Sequence, residues 1–238
     1  MIKDLIFAVL GGFSGFAAYH FMNLLPAAWF SETGEEPHPA LKKTIRWPML
    51  PWLPLSCILL ALVSALAAKI QIGMMFPVLN TLVLMLLWMI ALSDARFTII
   101  PDQFCSGLAA LGILRLMIVN TSDALWAVGI GLAVAAALPW LVGYLWSVLR
   151  HQEALGFGDV KLLAALAIYC GWPDVGLILL ITLLIAGLTF GILMLLKRLQ
   201  IGDSRPLGPY ICLATAIWLL FTPQIMSLIH WYIALIRF

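Results

Sequence analysis

Residues 174–196 read DVGLILLITLLIAGLTFGILMLL and contain no charged side chain after Asp174. A helix needs about 20 predominantly apolar residues to cross the hydrocarbon core of a bilayer, and this run is long enough. Its apolar residues do not alternate with polar ones, as they do in the strands of a transmembrane barrel. The run therefore predicts a membrane-spanning α-helix.

The composition of the whole chain points to the same surroundings. Of the 238 residues, 64% are hydrophobic and only 10% are charged, which excludes a water-soluble globule. Backbone groups in lipid must be paired within helices or closed barrels, so we expect an all-α, polytopic membrane protein in contact with lipid. About eight transmembrane helices are predicted, from apolar runs at 4–26, 52–69, 73–93, 103–120, 124–149, 159–172, 174–196 and 207–222, with a doubtful further piece at 224–236.

The distribution of charge predicts the orientation. Basic residues concentrate in the loops at 27–50, 94–102, 150–158 and 197–206. Cytoplasmic loops carry an excess of Lys and Arg, so these loops are predicted to face the cytoplasm and the amino terminus to lie outside. The net charge is +2, and no basic stripe is interleaved with aromatic residues, so nucleic acid is not an expected partner.

Three aspartates lie at the predicted cytoplasmic edge, each where an apolar run meets a loop: Asp94, Asp102 and Asp159. A charged side chain in lipid is unfavourable enough to require a partner, a water path or a function. Asp102 follows Pro101 at a helix start, where an acid favours the helix dipole, and it is predicted to cap that helix.

Asp94 and Asp159 are the stronger candidates for chemistry. Gly156 and Gly158 precede Asp159 and allow another backbone to approach closely. If the two carboxyl groups meet, they share one proton, as in aspartic proteases, where one takes a proton from water and the other gives one to the scissile amide. The adjacent helix ends favour ionised Asp159 as the base and protonated Asp94 as the acid. The same acids would also suit a carrier or channel that handles protons or cations.

Two motifs, SDARFTIIPD at 93–102 and LGFGDVKLL at 155–163, together resemble the paired motifs of the type IV prepilin peptidases, the bacterial branch of the GxGD intramembrane aspartyl proteases. RPLGPYICLA at 205–214 is similar to the proline-glycine-proline segment of that family, with Pro206 as its first proline. The resemblance implies that Asp94 and Asp159 are the catalytic pair. It implies a supporting role for Pro101, Asp102, Gly156, Gly158, Lys161, Gly208 and Pro209.

The function implied by this resemblance is that of an aspartic endopeptidase without a cofactor. Such an enzyme removes a short basic leader from type IV pilin-like precursors, prepilins or pseudopilins, at the cytoplasmic face of the bacterial inner membrane. Residues 1–50 are then a first transmembrane helix with a cytoplasmic loop, and residues 51–238 a multi-helix membrane peptidase domain. A non-catalytic assembly factor of a pilus or secretion system is a further alternative.

The chain departs from the family in the loop after the first span. That loop usually carries two CxxC pairs that bind zinc and are linked to N-methylation, whereas here residues 28–50 contain no cysteine. No metal site is therefore expected, because His38 alone cannot form a tetrahedral site, and methyl transfer is in doubt. The loop also contains three acidic residues, Glu32, Glu35 and Glu36. They could attract a basic leader, although a solvated loop surface is the more ordinary interpretation.

Overall fold

The computed structural model describes residues 2–30, 47–71, 73–150, 156–198 and 205–236. Within these ranges every regular element is a helix, which confirms the all-α prediction. The helices are α1 (Ile2–Leu24), α2 (Met49–Ile70), α3 (Met75–Phe97), α4 (Asp102–Val119), α5 (Ser122–Arg150), α6 (Phe157–Cys170), α7 (Asp174–Leu195) and α8 (Gly208–Ile236), with a 3-10 turn at Ala27–Phe30.

Seven of the helices in the described part of the chain are long and apolar enough to cross a membrane. The exception is α6, whose 14 residues match the short run that the sequence indicated. The doubtful piece at 224–236 is not a separate helix, because α8 continues through Pro223 to Ile236 as one helix of 29 residues. A proline removes one backbone hydrogen bond, and a membrane helix tolerates that loss when its neighbours compensate.

The centre of the bundle is α3, which packs against α1, α2, α4 and α8. In turn, α6 packs mainly against α4 and α5, and α8 packs against α3 and α7. At Gly112 of α4, an added Cβ would lie 2.8 Å from the backbone nitrogen of Tyr169, so α4 and α6 touch backbone to backbone. These contacts bring the end of α3 and the starts of α4, α6 and α8 to the same end of the bundle, which we call the aspartate end.

The first helix is also part of the bundle. It packs along α2, and an added Cβ at Gly15 would lie 2.4 Å from the carbonyl oxygen of Ser56. Small residues permit such close helix contacts in membranes. The division of the chain at residue 50 stays a prediction.

The described residues on either side of the 31–46 segment contact the aspartate end. The ring of Phe30 lies 5.2 Å from that of Phe97 at the end of α3, and the ring of Trp47 lies 6.4 Å from it. The predicted roles of His38 and of the glutamates at 32, 35 and 36 concern residues outside the described ranges.

Candidate active site

Asp94 lies in the last turn of α3 and is 4% exposed. The backbone N–H of Gly208, the first residue of α8, donates to its Oδ2 at 2.9 Å. A Cβ on Gly208 would lie 2.5 Å from the same oxygen, so a side chain does not fit there. The start of α8 therefore supplies a hydrogen-bond donor to Asp94, and a helix amino terminus favours a negative charge.

Asp159 lies in the first turn of α6 and is 8% exposed. The backbone of Gly156, the residue that caps α6, donates to its carboxylate, and Asp159 interacts electrostatically with Asp94. Gly158 packs against the α3–α4 turn, where its Cβ would lie 3.3 Å from the Cβ of Ile100. The two glycines of the motif therefore differ in their contacts: Gly156 interacts with the Asp159 carboxylate, and Gly158 packs against Ile100.

Lys161 and Asp102 are joined by an ion pair that the sequence did not predict. The Nζ of Lys161 lies 2.7 Å and 3.0 Å from the two carboxylate oxygens of Asp102. It also lies 4.7 Å from the centroid of the Phe157 ring. Asp102 is the first residue of α4, as expected for an acid at a helix start. Its carboxylate pairs with Lys161 and does not cap the helix, so the capping prediction is wrong.

Pro101 and Pro209 lie at helix starts. Pro101 is the residue before α4, with φ of −63°, and its carbonyl accepts the N–H of Phe104 at 3.1 Å. Pro209 is the second residue of α8. Proline is favoured in the first turn of a helix because its missing N–H would have no partner there. Both prolines therefore fix where the helices at the aspartate end begin.

Cys105 and Cys212 are buried within electrostatic reach of the aspartates at this end of the bundle, and the sequence predicted no role for them at the site. Cys212 follows Gly208 by one helical turn on α8 and lies within electrostatic reach of Asp94, Asp159 and Cys105. One feature of the sequence could have predicted that Cys212 lies near the site: it is four residues after Gly208, and this spacing places both on one face of a helix. Among the described residues, no group of three or more His, Cys, Asp or Glu could hold a metal ion.

The arrangement gathers two buried carboxyl groups from positions 65 residues apart in sequence, with a backbone donor for each. Two interacting carboxyl groups titrate as a pair and can hold a single proton between them. Such a pair can act on a water molecule as base and on a leaving group as acid.

The family model described as the type IV leader peptidase family matches residues 81–196, a range that contains both aspartates. The chain is 34% identical to the leader peptidase HopD of Escherichia coli over 137 residues, which cover 56% of this chain and 82% of HopD. It is 32% identical to a prepilin leader peptidase/N-methyltransferase of Aeromonas salmonicida over 190 residues, covering 78% of this chain and 62% of that protein. No solved structure matches the chain.

A prepilin leader peptidase/N-methyltransferase of Stutzerimonas stutzeri is 29% identical over 150 residues. That match covers 60% of this chain but spans only half (50%) of the length of the relative. With most of HopD matched at 34% identity, the chain belongs to the type IV leader peptidase family and is an integral membrane protein.

Proposed function

We propose that this protein is a prepilin leader peptidase that cleaves its substrate by an aspartic mechanism. The observation that supports the proposal is that Asp94 and Asp159 are both buried at one end of the helix bundle, within electrostatic reach of each other, with the N–H of Gly208 donating to Asp94. Membership of the leader peptidase family supports the choice of reaction. The substrate is a pilin-like precursor with a short basic leader.

The reaction follows from two carboxyl groups in different protonation states. The ionised member takes a proton from water, which attacks the carbonyl carbon of the scissile bond, and the protonated member gives its proton to the amide nitrogen. The expectation that Asp159 is the ionised member rests on its place at a helix start and on the place of Asp94 at a helix carboxyl end. Gly208, at the start of α8, donates a hydrogen bond to Asp94, so the surroundings of both aspartates favour a negative charge. Which of the two is ionised stays a prediction, and a titration that resolves the two carboxyl groups tests it.

The position of the pair supports cleavage at a membrane face. Asp94 and Asp159 lie at helix ends, whereas transporters place their coupling residues near the bilayer midplane on interrupted helices. The loops at this end carry most of the basic residues, so the proposal places the site at the cytoplasmic face of the bacterial inner membrane. A carrier or channel is therefore the weaker alternative.

The proposal is tested with purified protein and a peptide that has a basic leader, a glycine and an apolar segment. Asp94→Asn and Asp159→Asn should each lower the cleavage rate by about 10²–10⁴-fold, the usual effect of losing an acid–base group. Asp123→Asn is the matched control, because Asp123 is exposed in the first turn of α5. Cleavage at the normal rate by either amide variant would contradict the aspartic mechanism.

Methyl transfer is a separate question. The names of the Aeromonas and Stutzerimonas relatives include N-methyltransferase, whereas the name of HopD does not. We propose cleavage as the activity of this chain and leave methyl transfer outside the proposal, because the loop after α1 has no cysteine. Mass measurement of the cleaved product, with and without a methyl donor, distinguishes the two activities.

A further inference from the structure

The ion pair of Lys161 and Asp102 connects the helix that carries Asp159 to the start of α4. The two side chains are 36% and 66% exposed. An exposed ion pair contributes little to the stability of a protein. The main effect of this ion pair is therefore expected on the relative position of α4 and α6.

Asp102 is held in a fixed position relative to Asp94 by the turn between α3 and α4. The N–H of Thr98 donates to the carbonyl oxygen of Asp94 at 2.8 Å. The hydroxyl of buried Ser93 donates to the carbonyl oxygen of Ile99 at 2.7 Å. These bonds hold the turn against the last residues of α3. The position of Asp102 is therefore fixed relative to that of Asp94.

The first turn of α6 rests on the same α3–α4 turn at two points. Gly158 packs against Ile100, and Lys161 reaches Asp102. Asp159 lies between Gly158 and Lys161 in sequence. Two contacts at different points restrain both the distance and the rotation of the turn that presents Asp159.

We propose that Lys161 and Asp102 form a positioning pair, which holds the carboxyl group of Asp159 in place relative to that of Asp94. This inference rests on the proposed peptidase function. Neither residue is assigned contact with the substrate or the reacting atoms. Because a displacement of about 1 Å can lower a rate by about 10²-fold, breaking the pair lowers kcat and leaves KM unchanged.

The variants that test the pair are Lys161→Met, Asp102→Asn and the exchanged pair Lys161→Asp with Asp102→Lys. Each single variant lowers kcat by about 10–100-fold with KM within about twofold of normal, and the exchanged pair recovers most of the loss. Lys161→Arg keeps the pair and retains activity. Lys69→Met is the matched control, since Lys69 is exposed in the last turn of α2, at the other end of the bundle.

Hydrogen exchange of the backbone amides at 157–162 gives a readout that does not require cleavage. Lys161→Met speeds this exchange, and the exchanged pair restores it. Unchanged exchange together with unchanged kcat overturns the inference, and so does a rise in KM at constant kcat, which indicates contact with the substrate. If the normal protein cleaves no leader peptide, the proposed function fails, while the exchange measurement still decides whether the pair holds α6.

Discussion

The backbone N–H of Gly208 donates to the carboxylate of Asp94 at 2.9 Å, across 114 positions of sequence. The same glycine has no room for a side chain, because a Cβ would lie 2.5 Å from Oδ2 of Asp94 and 3.2 Å from its Cβ. Gly208 is thus both a donor to the candidate acid and a surface against which that acid packs. This contact brings a proline-glycine-proline segment that is distant in sequence from both aspartates to the candidate site.

Replacement of Gly208 by alanine should therefore impair cleavage without unfolding the protein. The added methyl group displaces the Asp94 carboxyl group, and a misplaced acid–base group lowers the rate by about 10²-fold. Peptide cleavage by Gly208→Ala measures this loss. Gly191→Ala on α7 is the control, because nothing lies within 4 Å of its Cβ position, and equal rates for the two variants would contradict the prediction.

The sequence predicted those features that depend on neighbours along the chain. Long apolar runs were sufficient to identify the helices, and the two motifs identified Asp94 and Asp159 as candidates. Glycines next to Asp159 indicated a close approach, and the structure finds that approach at Ile100. Local pattern is informative here because hydrophobic length and turn chemistry are local properties.

The features that the sequence could not predict depend on distant pairing. The partner of Lys161 is 59 positions away, and the donor to Asp94 is 114 positions away. Periodicity places a side chain on one face of a helix but does not identify the helix that it meets. For that reason Asp102 was interpreted from its own helix start alone, and its pairing with Lys161 was missed.

The contact between α1 and α2 provides a test of packing. A Cβ at Gly15 would lie 2.4 Å from the carbonyl oxygen of Ser56, whereas the nearest atom to a Cβ at Gly12 is 3.8 Å away. Gly15→Ala should destabilise the protein by about 1–3 kcal/mol, since neither backbone can yield easily. Gly12→Ala should be neutral. Denaturant unfolding in detergent compares the two, and equal midpoints would contradict the packing of α1.

A buried polar contact links α3 to α6. The hydroxyl of Tyr169 donates to Oδ1 of Asn80, and both residues are almost completely buried. Tyr169→Phe leaves that oxygen unpaired and should destabilise the protein by about 0.6–2 kcal/mol, the range for hydrogen bonds between membrane helices. Removing both partners in Tyr169→Phe with Asn80→Leu should recover part of the loss, because no buried acceptor is then left unpaired.

Unfolding free energies of the single and double variants provide the measurement. A double-variant loss equal to the sum of the two single losses would mean that the side chains do not interact in the folded protein.

Trp47 anchors the start of α2 at the aspartate end. Its backbone N–H donates to Oδ1 of Asn23 at 2.7 Å, and its carbonyl oxygen accepts the hydroxyl of Tyr19 at 3.0 Å. The guanidinium of Arg96, two residues after Asp94, lies 4.6 Å from the centroid of the indole ring. Trp47 therefore connects three helices: its backbone bonds to the end of α1 at the start of α2, and its ring contacts the end of α3.

Trp47→Ala should consequently destabilise the protein by about 3–5 kcal/mol, the usual effect of truncating a large buried aromatic side chain. Trp47→Phe should lose much less, because a phenyl ring keeps part of the packing and a face for Arg96. Trp126→Ala is the matched control, since Trp126 is 74% exposed on α5 and should change stability little. Thermal unfolding in detergent measures all three variants. If Trp47→Ala and Trp126→Ala unfold at the same temperature, Trp47 does not anchor α2.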